Sequence, residues 1–209
     1  MKKTTILMLL FCLIVSTLFA QNGQMTKEER KFLLNHLKDT EANLLSAIHD
    51  ISDKQWVFKR DDESWSPAEC AVHILKAEKH IFETWRVKVL ETDPEPERVD
   101  EVEGKESQIT KEVPNREQKF KSPEKLQPGT ELMSKADFKK SFQALRTKIR
   151  KYVKSTSDDL HFHFTQAPAN LGVIDTYQLM LVLSNHTGRH TAQIDEIKTS
   201  NGFDKIAKY

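Results

Sequence analysis

The sequence predicts an all-α protein, a four-helix bundle, from three observations. Apolar residues recur at three- and four-residue steps in four separate stretches. Helix-starting signatures precede these stretches: Thr26 with Glu29, Ser66 with Pro67 and Glu69, Ser134, and Asp175. Only 6 glycines and 7 prolines occur in 209 residues, and most of the prolines fall between Thr92 and Met133.

Residues 1–20 read as a signal peptide: Lys2 and Lys3, an apolar run over 6–19, then Ala20 ahead of Gln21. The run is shorter than the ~20 apolar residues of a membrane-spanning helix, so no stable membrane anchor is expected. The product is expected to be exported, periplasmic or secreted. Cys12 sits inside the run behind Phe11, not at its end after small residues as a lipid-modified cysteine would. Cleavage leaves Cys70 as the only cysteine, which excludes an intrachain disulfide, and leaves 21–209 as one domain. Without Lys2 and Lys3 the basic count falls from 32 to about 30 against 31 acids, a balance that offers nothing to nucleic acid.

The first helix runs from Thr26 to about Ile51, with Phe32, Leu33, Leu37, Leu44, Leu45 and Ile48 on its apolar stripe. The second starts at Ser66 as N-cap with Pro67 in the first turn, and reaches about Glu91. Residues 92–133 form a long crossover to which periodicity assigns no regular structure; a lid, disorder or topology would each account for it. The third helix follows Ser134 and carries Phe138, Phe142, Leu145, Ile149 and Val153, with Lys139, Lys140, Lys148, Arg150 and Lys151 as a solvated basic face. Asp175 caps the fourth, which carries Tyr177, Leu179, Met180, Leu183, Ile194 and Ile197 and stops near Asn201–Gly202.

His186 and His190 lie one helical turn apart and share a face. That face continues back through Leu179 and Leu183 and forward through Ile194 and Ile197, so both imidazoles point into the bundle. Burial keeps an imidazole neutral, the form that ligates a transition metal at about 2.0–2.1 Å. A pair of this kind also occurs as ordinary hydrogen-bonded core histidines, and a third ligand must decide. His73 and His80, one heptad apart on the second helix, compete for that place, and spacing does not separate them.

Two segments resemble the DinB-like superfamily, four-helix proteins that include thiol-dependent transferases. Trp65-Ser66-Pro67 leading to Cys70-Ala71-Val72-His73-Ile74 is similar to the family's tryptophan, helix start and first metal histidine. His186-Thr187-Gly188-Arg189-His190-Thr191-Ala192-Gln193-Ile194 is similar to its last-helix histidine pair with the following Gln-Ile. Pro168-Ala169-Asn170-Leu171-Gly172 resembles the family's entry to that helix, so the likeness spans nearly the whole mature chain.

The resemblance implies up-down-down-up connectivity with the long link between helices 2 and 3. It implies one divalent transition metal, zinc, nickel, iron or manganese, held by His73, His186 and His190, with a coordination position left open for water or substrate. It thereby favours His73 over His80. Export disfavours thiol transfer, which relies on a reduced thiol pool. Cys70 reads as a packed apolar residue rather than a ligand. His161 and His163 alternate in an extended segment, with His163 an outer-shell candidate; Gln193 and Glu69 are others, one turn from ligands.

The function expected is a metal-dependent hydrolase or transferase acting on a small-molecule substrate, with Glu69 and Glu78 as candidate acid or base groups. A non-catalytic bundle that binds a metal or small ligand is the alternative. A homodimer stays open.

Overall fold

Thr26 opens the first helix with a reciprocal cap: its hydroxyl accepts from the Glu29 amide at 3.1 Å and its own amide donates to the Glu29 carboxylate at 2.7 Å. In this computed structural model, which describes residues 22–130, 132–167 and 171–206, α1 spans Lys27–Ala47. The expected signal peptide lies outside the described residues, as do residues 168–170. After the single turn α2 (Asp53–Trp56), Ser66 and Glu69 form the same reciprocal cap and start α3 (Pro67–His80). That helix passes through a π-helical turn (Ile81–Trp85) into α4 (Arg86–Leu90), close to the end expected at Glu91.

Ser134 caps α6 (Lys135–Ser155), and Asp175 with Gln178 caps α7 (Thr176–Lys198). A two-stranded hairpin, β1 (Phe164–Gln166) and β2 (Val173–Asp175), leads into α7 with Phe164 opposite Asp175. The final short turn is α8 (Phe203–Ile206). No helix among the described residues is long and apolar enough to cross a membrane.

The crossover is not featureless. It holds a 3-10 turn (Pro96–Glu101), the helix α5 (Lys105–Glu112) and a second 3-10 turn (Glu124–Leu126). Periodicity had nothing to detect in α5, because Ile109 is its one buried residue. That side chain is fully buried, and α5 packs on α7.

Side-chain contacts fix the direction of each helix. His36 reaches Ser184 at 2.8 Å and Lys198 reaches the Ala47 carbonyl at 2.9 Å, so α1 and α7 are parallel. Arg30 donates to the Thr156 carbonyl at 3.0 Å and Arg146 to the Leu37 carbonyl at 2.9 Å, so α1 and α6 are antiparallel. Glu78 meets Arg146 and Phe82 meets Tyr152, so α3 with its π-helical extension runs parallel to α6. The order is up-down-down-up. Two parallel neighbours joined in sequence need a connection as long as the bundle, and residues 92–133 supply it.

The core divides into two apolar clusters. Leu33, Leu37, Phe82, Ile149, Val153 and Leu183 belong to one; Leu44, Ile48, Ile74, Phe138, Phe142 and Ile194 belong to the other. Between their helices runs a buried polar layer. Arg146 donates through Nε to both Glu78 oxygens at 3.0 and 2.9 Å, and through Nη1 and Nη2 to Thr40 at 3.1 Å and Thr187 at 2.9 Å. Both charged side chains are fully buried. Glu78 is therefore enclosed and occupied by Arg146, which corrects its expectation as an acid or base group. Burial raises the pKa of its carboxyl, and the Arg146 guanidinium and Thr187 hydroxyl oppose that.

Candidate metal centre

The antiparallel pairing of α3 and α7 brings the first half of one against the second half of the other. Ser66 sets the start of α3, so His73 lies nearly two turns in; Asp175 sets α7, so His186 and His190 lie three and four turns along it. The structure brings these three imidazoles together. His186 Nε2 lies 3.2 Å from His73 Nε2 and 3.2 Å from His190 Nε2. The three form the one metal-competent group of histidine, cysteine, aspartate or glutamate side chains among the described residues, with ligand atoms within 4.8 Å of one another.

Hydrogen bonds on the far side of two rings say which nitrogen bears the proton. His73 Nδ1 lies 2.8 Å from the Leu126 carbonyl, which can only accept, so Nδ1 carries hydrogen and Nε2 presents a lone pair. His190 Nδ1 lies 2.8 Å from Gln193 Oε1, which gives the same tautomer. His186 Nδ1 is buried with no partner among the described residues. Burial, then neighbouring His73 and Arg189, lower the His186 pKa to about 3. Burial also lowers those of His73 and His190. All three are neutral at ordinary pH.

A cation fits this arrangement. Two lone pairs converge on His186 Nε2, which can offer at most one hydrogen between them, so one acceptor faces another across 3.2 Å. Ligands at about 2.0–2.1 Å from a tetrahedral ion stand roughly 3.3 Å apart, close to the separations found. Trp65 walls the group, its ring centroid 4.8 Å from His73 and 5.9 Å from His190.

The crossover closes over this end of the bundle. Besides Leu126 on His73, Lys76 donates to the Gln127 and Pro128 carbonyls at 2.8 and 3.0 Å. Arg189 donates to the carbonyls of Asn115 and Gln118, and its guanidinium stands 5.4 Å from the Phe120 ring. Arg116 pairs with Glu196 at 2.7 and 3.0 Å and reaches Gln193 at 3.2 Å.

The remaining candidates separate clearly. Gln193 touches a ring nitrogen, as an outer partner would. Glu69 does not: its carboxylate caps Ser66 at 2.7 Å and meets Lys59 at 3.2 Å. His80 is half-buried and stands outside the group. Cys70 is fully buried, and burial pushes its thiol pKa up. His161 and His163 belong to the opposite pole, beside Asp175, some eleven residues or about 16 Å of helix before His186. There His163 contacts Thr92 and Asp159, each at 3.2 Å, which corrects its expectation as an outer-shell group. Leu126 and Arg116 are partners that the sequence does not disclose, because a backbone carbonyl and one arginine in a charged loop carry no periodic signal.

A solved structure, YfiT from Bacillus subtilis, described as a probable metal-dependent hydrolase with an unusual four-helix bundle topology, is similar at 12% identity and TM-score 0.49. The match covers 83% of this chain and 88% of that one. No curated protein matches. The family model of the DinB superfamily matches residues 36–194. The chain belongs to the DinB superfamily.

Proposed function

We propose that this chain holds one divalent metal ion through His73, His186 and His190 and uses it as a metal-dependent hydrolase or transferase on a small-molecule substrate. The observation that carries the reading is the convergence of three neutral imidazoles on one point, with Nε2 lone pairs of His73 and His190 fixed from outside the cluster. A metal with three protein ligands and an open position supplies Lewis acidity and lowers the pKa of water. The chain's own residues orient the rings through Leu126 and Gln193, and Trp65 with the crossover limits access of bulk water to them.

One observation favours a second reading, a binding module without catalysis. Among the described residues no carboxylate is hydrogen-bonded to any of the three rings, so the ring contacts assign no general base.

Elemental analysis of untagged protein tests the metal and identifies it. Wild type is expected to carry about one equivalent and the His186→Ala/His190→Ala double variant none; equal metal content in both would overturn the site. Turnover of ester, amide or thiol-adduct substrates that is lost on chelation and restored by metal would favour the enzyme, and silence across the panel the binding module. Export belongs to the same proposal, and N-terminal sequencing of the mature protein is expected to begin at Gln21.

A further inference from the structure

The amide oxygen of Gln193 serves two donors. It lies 2.8 Å from His190 Nδ1 and 3.2 Å from Nη1 of Arg116. A guanidinium has no acceptor, so the Gln193 atom that faces Arg116 must be the oxygen. The same oxygen faces His190, and it can only accept, so the hydrogen of the neutral ring must sit on Nδ1. Nε2 is then a lone pair directed at His186 Nε2, 3.2 Å away.

Arg116 is itself held firmly. Its Nε and Nη2 grip both oxygens of Glu196 at 2.7 and 3.0 Å, and its side chain is 12% exposed. The third nitrogen, Nη1, is spent on Gln193. The Arg116 backbone is fixed as well, because Arg189 of α7 holds the carbonyl of the preceding residue, Asn115.

We infer that Arg116 is a positioning residue that selects the metal-binding tautomer of His190 by fixing the amide orientation of Gln193. Without Arg116 the amide is free to turn and present its NH2 group to Nδ1. That presentation stabilises the Nε2–H form, whose lone pair points away from His73 and His186. The three rings differ in this respect. His73 takes its tautomer from a main-chain carbonyl that cannot turn, and His186 has no partner on Nδ1 among the described residues. His190 is the ring whose tautomer depends on side chains, and the crossover, by carrying Arg116, sets it.

The inference rests on the proposed metal site, and two readouts keep them apart. Zinc affinity is measured by competition with a chromophoric chelator for wild type, Arg116→Leu, Gln193→Leu, Gln193→Glu and the Arg116→Leu/Gln193→Leu pair. Loss of an outer partner of a ligating histidine weakens metal binding by about 10–100-fold, the fall expected for Gln193→Leu. Arg116→Leu, one partner further from the ring, is expected to weaken zinc by a smaller factor than Gln193→Leu, about threefold or more. Gln193→Glu, which offers only oxygens, is expected to retain the zinc binding that Gln193→Leu loses. The double variant is expected to be no weaker than Gln193→Leu alone, because Arg116 acts through Gln193.

The second readout is the His190 tautomer in the metal-free protein, from nitrogen-15 imidazole shifts. Wild type is expected to show hydrogen on Nδ1 and Arg116→Leu a shift toward Nε2–H. An unchanged tautomer in Arg116→Leu, or additive losses in the double variant, would overturn the inference. If wild type carries no metal of any kind by elemental analysis, the metal reading fails while the tautomer measurement still decides this one.

Discussion

Arg146 and Glu78, 68 positions apart in the sequence, form a two-pronged ion pair between parallel helices with neither side chain exposed to solvent. The pair is saturated by Thr40, Thr187 and the Leu37 carbonyl, so the desolvation cost of both charges is offset by hydrogen bonds on every side. Thr187 adjoins His186, which ties the polar layer to the helix face that carries the imidazoles.

Removing one partner leaves the other charge buried and unpaired. Glu78→Gln and Arg146→Met are each expected to lower stability by about 3–5 kcal/mol in urea unfolding. The Glu78→Leu/Arg146→Met double variant is expected to be more stable than Arg146→Met alone. A double variant that is the least stable of the set would show that the polar layer holds the helices by more than charge neutralisation.

At the opposite pole, His161 bridges the caps of the two parallel helices, Nδ1 2.7 Å from Asp175 and Nε2 3.3 Å from Glu29. Burial disfavours its charge, but hydrogen bonds to both carboxylates outweigh this and raise its pKa to about 10. Burial likewise pushes Glu29 up, but His161 and Thr26 bring it down to about 2. A raised histidine pKa stabilises fully below the unfolded value near 6.5 and is lost as pH climbs through about 10. A lowered carboxyl pKa stabilises above the unfolded value near 4.5 and is lost as pH falls through about 2. His161→Gln is therefore expected to cost most between about pH 4.5 and 6.5, roughly 1.5–3 kcal/mol, and to lose the charge-dependent part of that cost as pH rises through about 10. Chemical unfolding across that range checks it; a cost independent of pH would mean that His161 acts by packing alone.

Arg189 pins the crossover by its backbone, so its loss should free the segment without unfolding the bundle. In Arg189→Leu, protease cleavage within residues 115–125 is expected to rise at least about tenfold, the ratio for one lost charge-assisted hydrogen bond of about 1.5 kcal/mol. Helical circular dichroism should stay as in wild type. Mass spectrometry of the fragments locates the cut.

Gly23 sits at φ +65°, and a Cβ there would lie 2.7 Å from the Phe162 ring. Its carbonyl also accepts from the His161 amide at 2.9 Å, so the backbone cannot simply shift away. Gly23→Ala is expected to destabilise by about 1–3 kcal/mol, read as a fall in the thermal midpoint.

What the sequence disclosed follows the range of the interactions. The caps at Thr26, Ser66, Ser134 and Asp175 are local, three residues from donor to acceptor, and each starts its helix where expected. The His186–His190 spacing is also local. The resemblance, not the spacing, singled out His73 over His80, since the choice depends on how α3 is rotated against α7. Arg146 looks like one more cation on a lysine-rich helix, and only the tertiary pairing with Glu78 distinguishes it. Arg116 and Gln193 meet across 77 residues. In the crossover, α5 escaped because one buried side chain makes no period.

The parallel pairing of α1 with α7 has a consequence for the order of assembly during synthesis. The inner face of the first helix finds its main partner in the last, so the bundle stays open along that seam until residues 176–198 have emerged. His73 is made more than a hundred residues before His186, and its ring waits without its neighbours through the whole of that interval. The three imidazoles thus cannot come together until the last helix has been made, when α5 and α6 are already present in the chain.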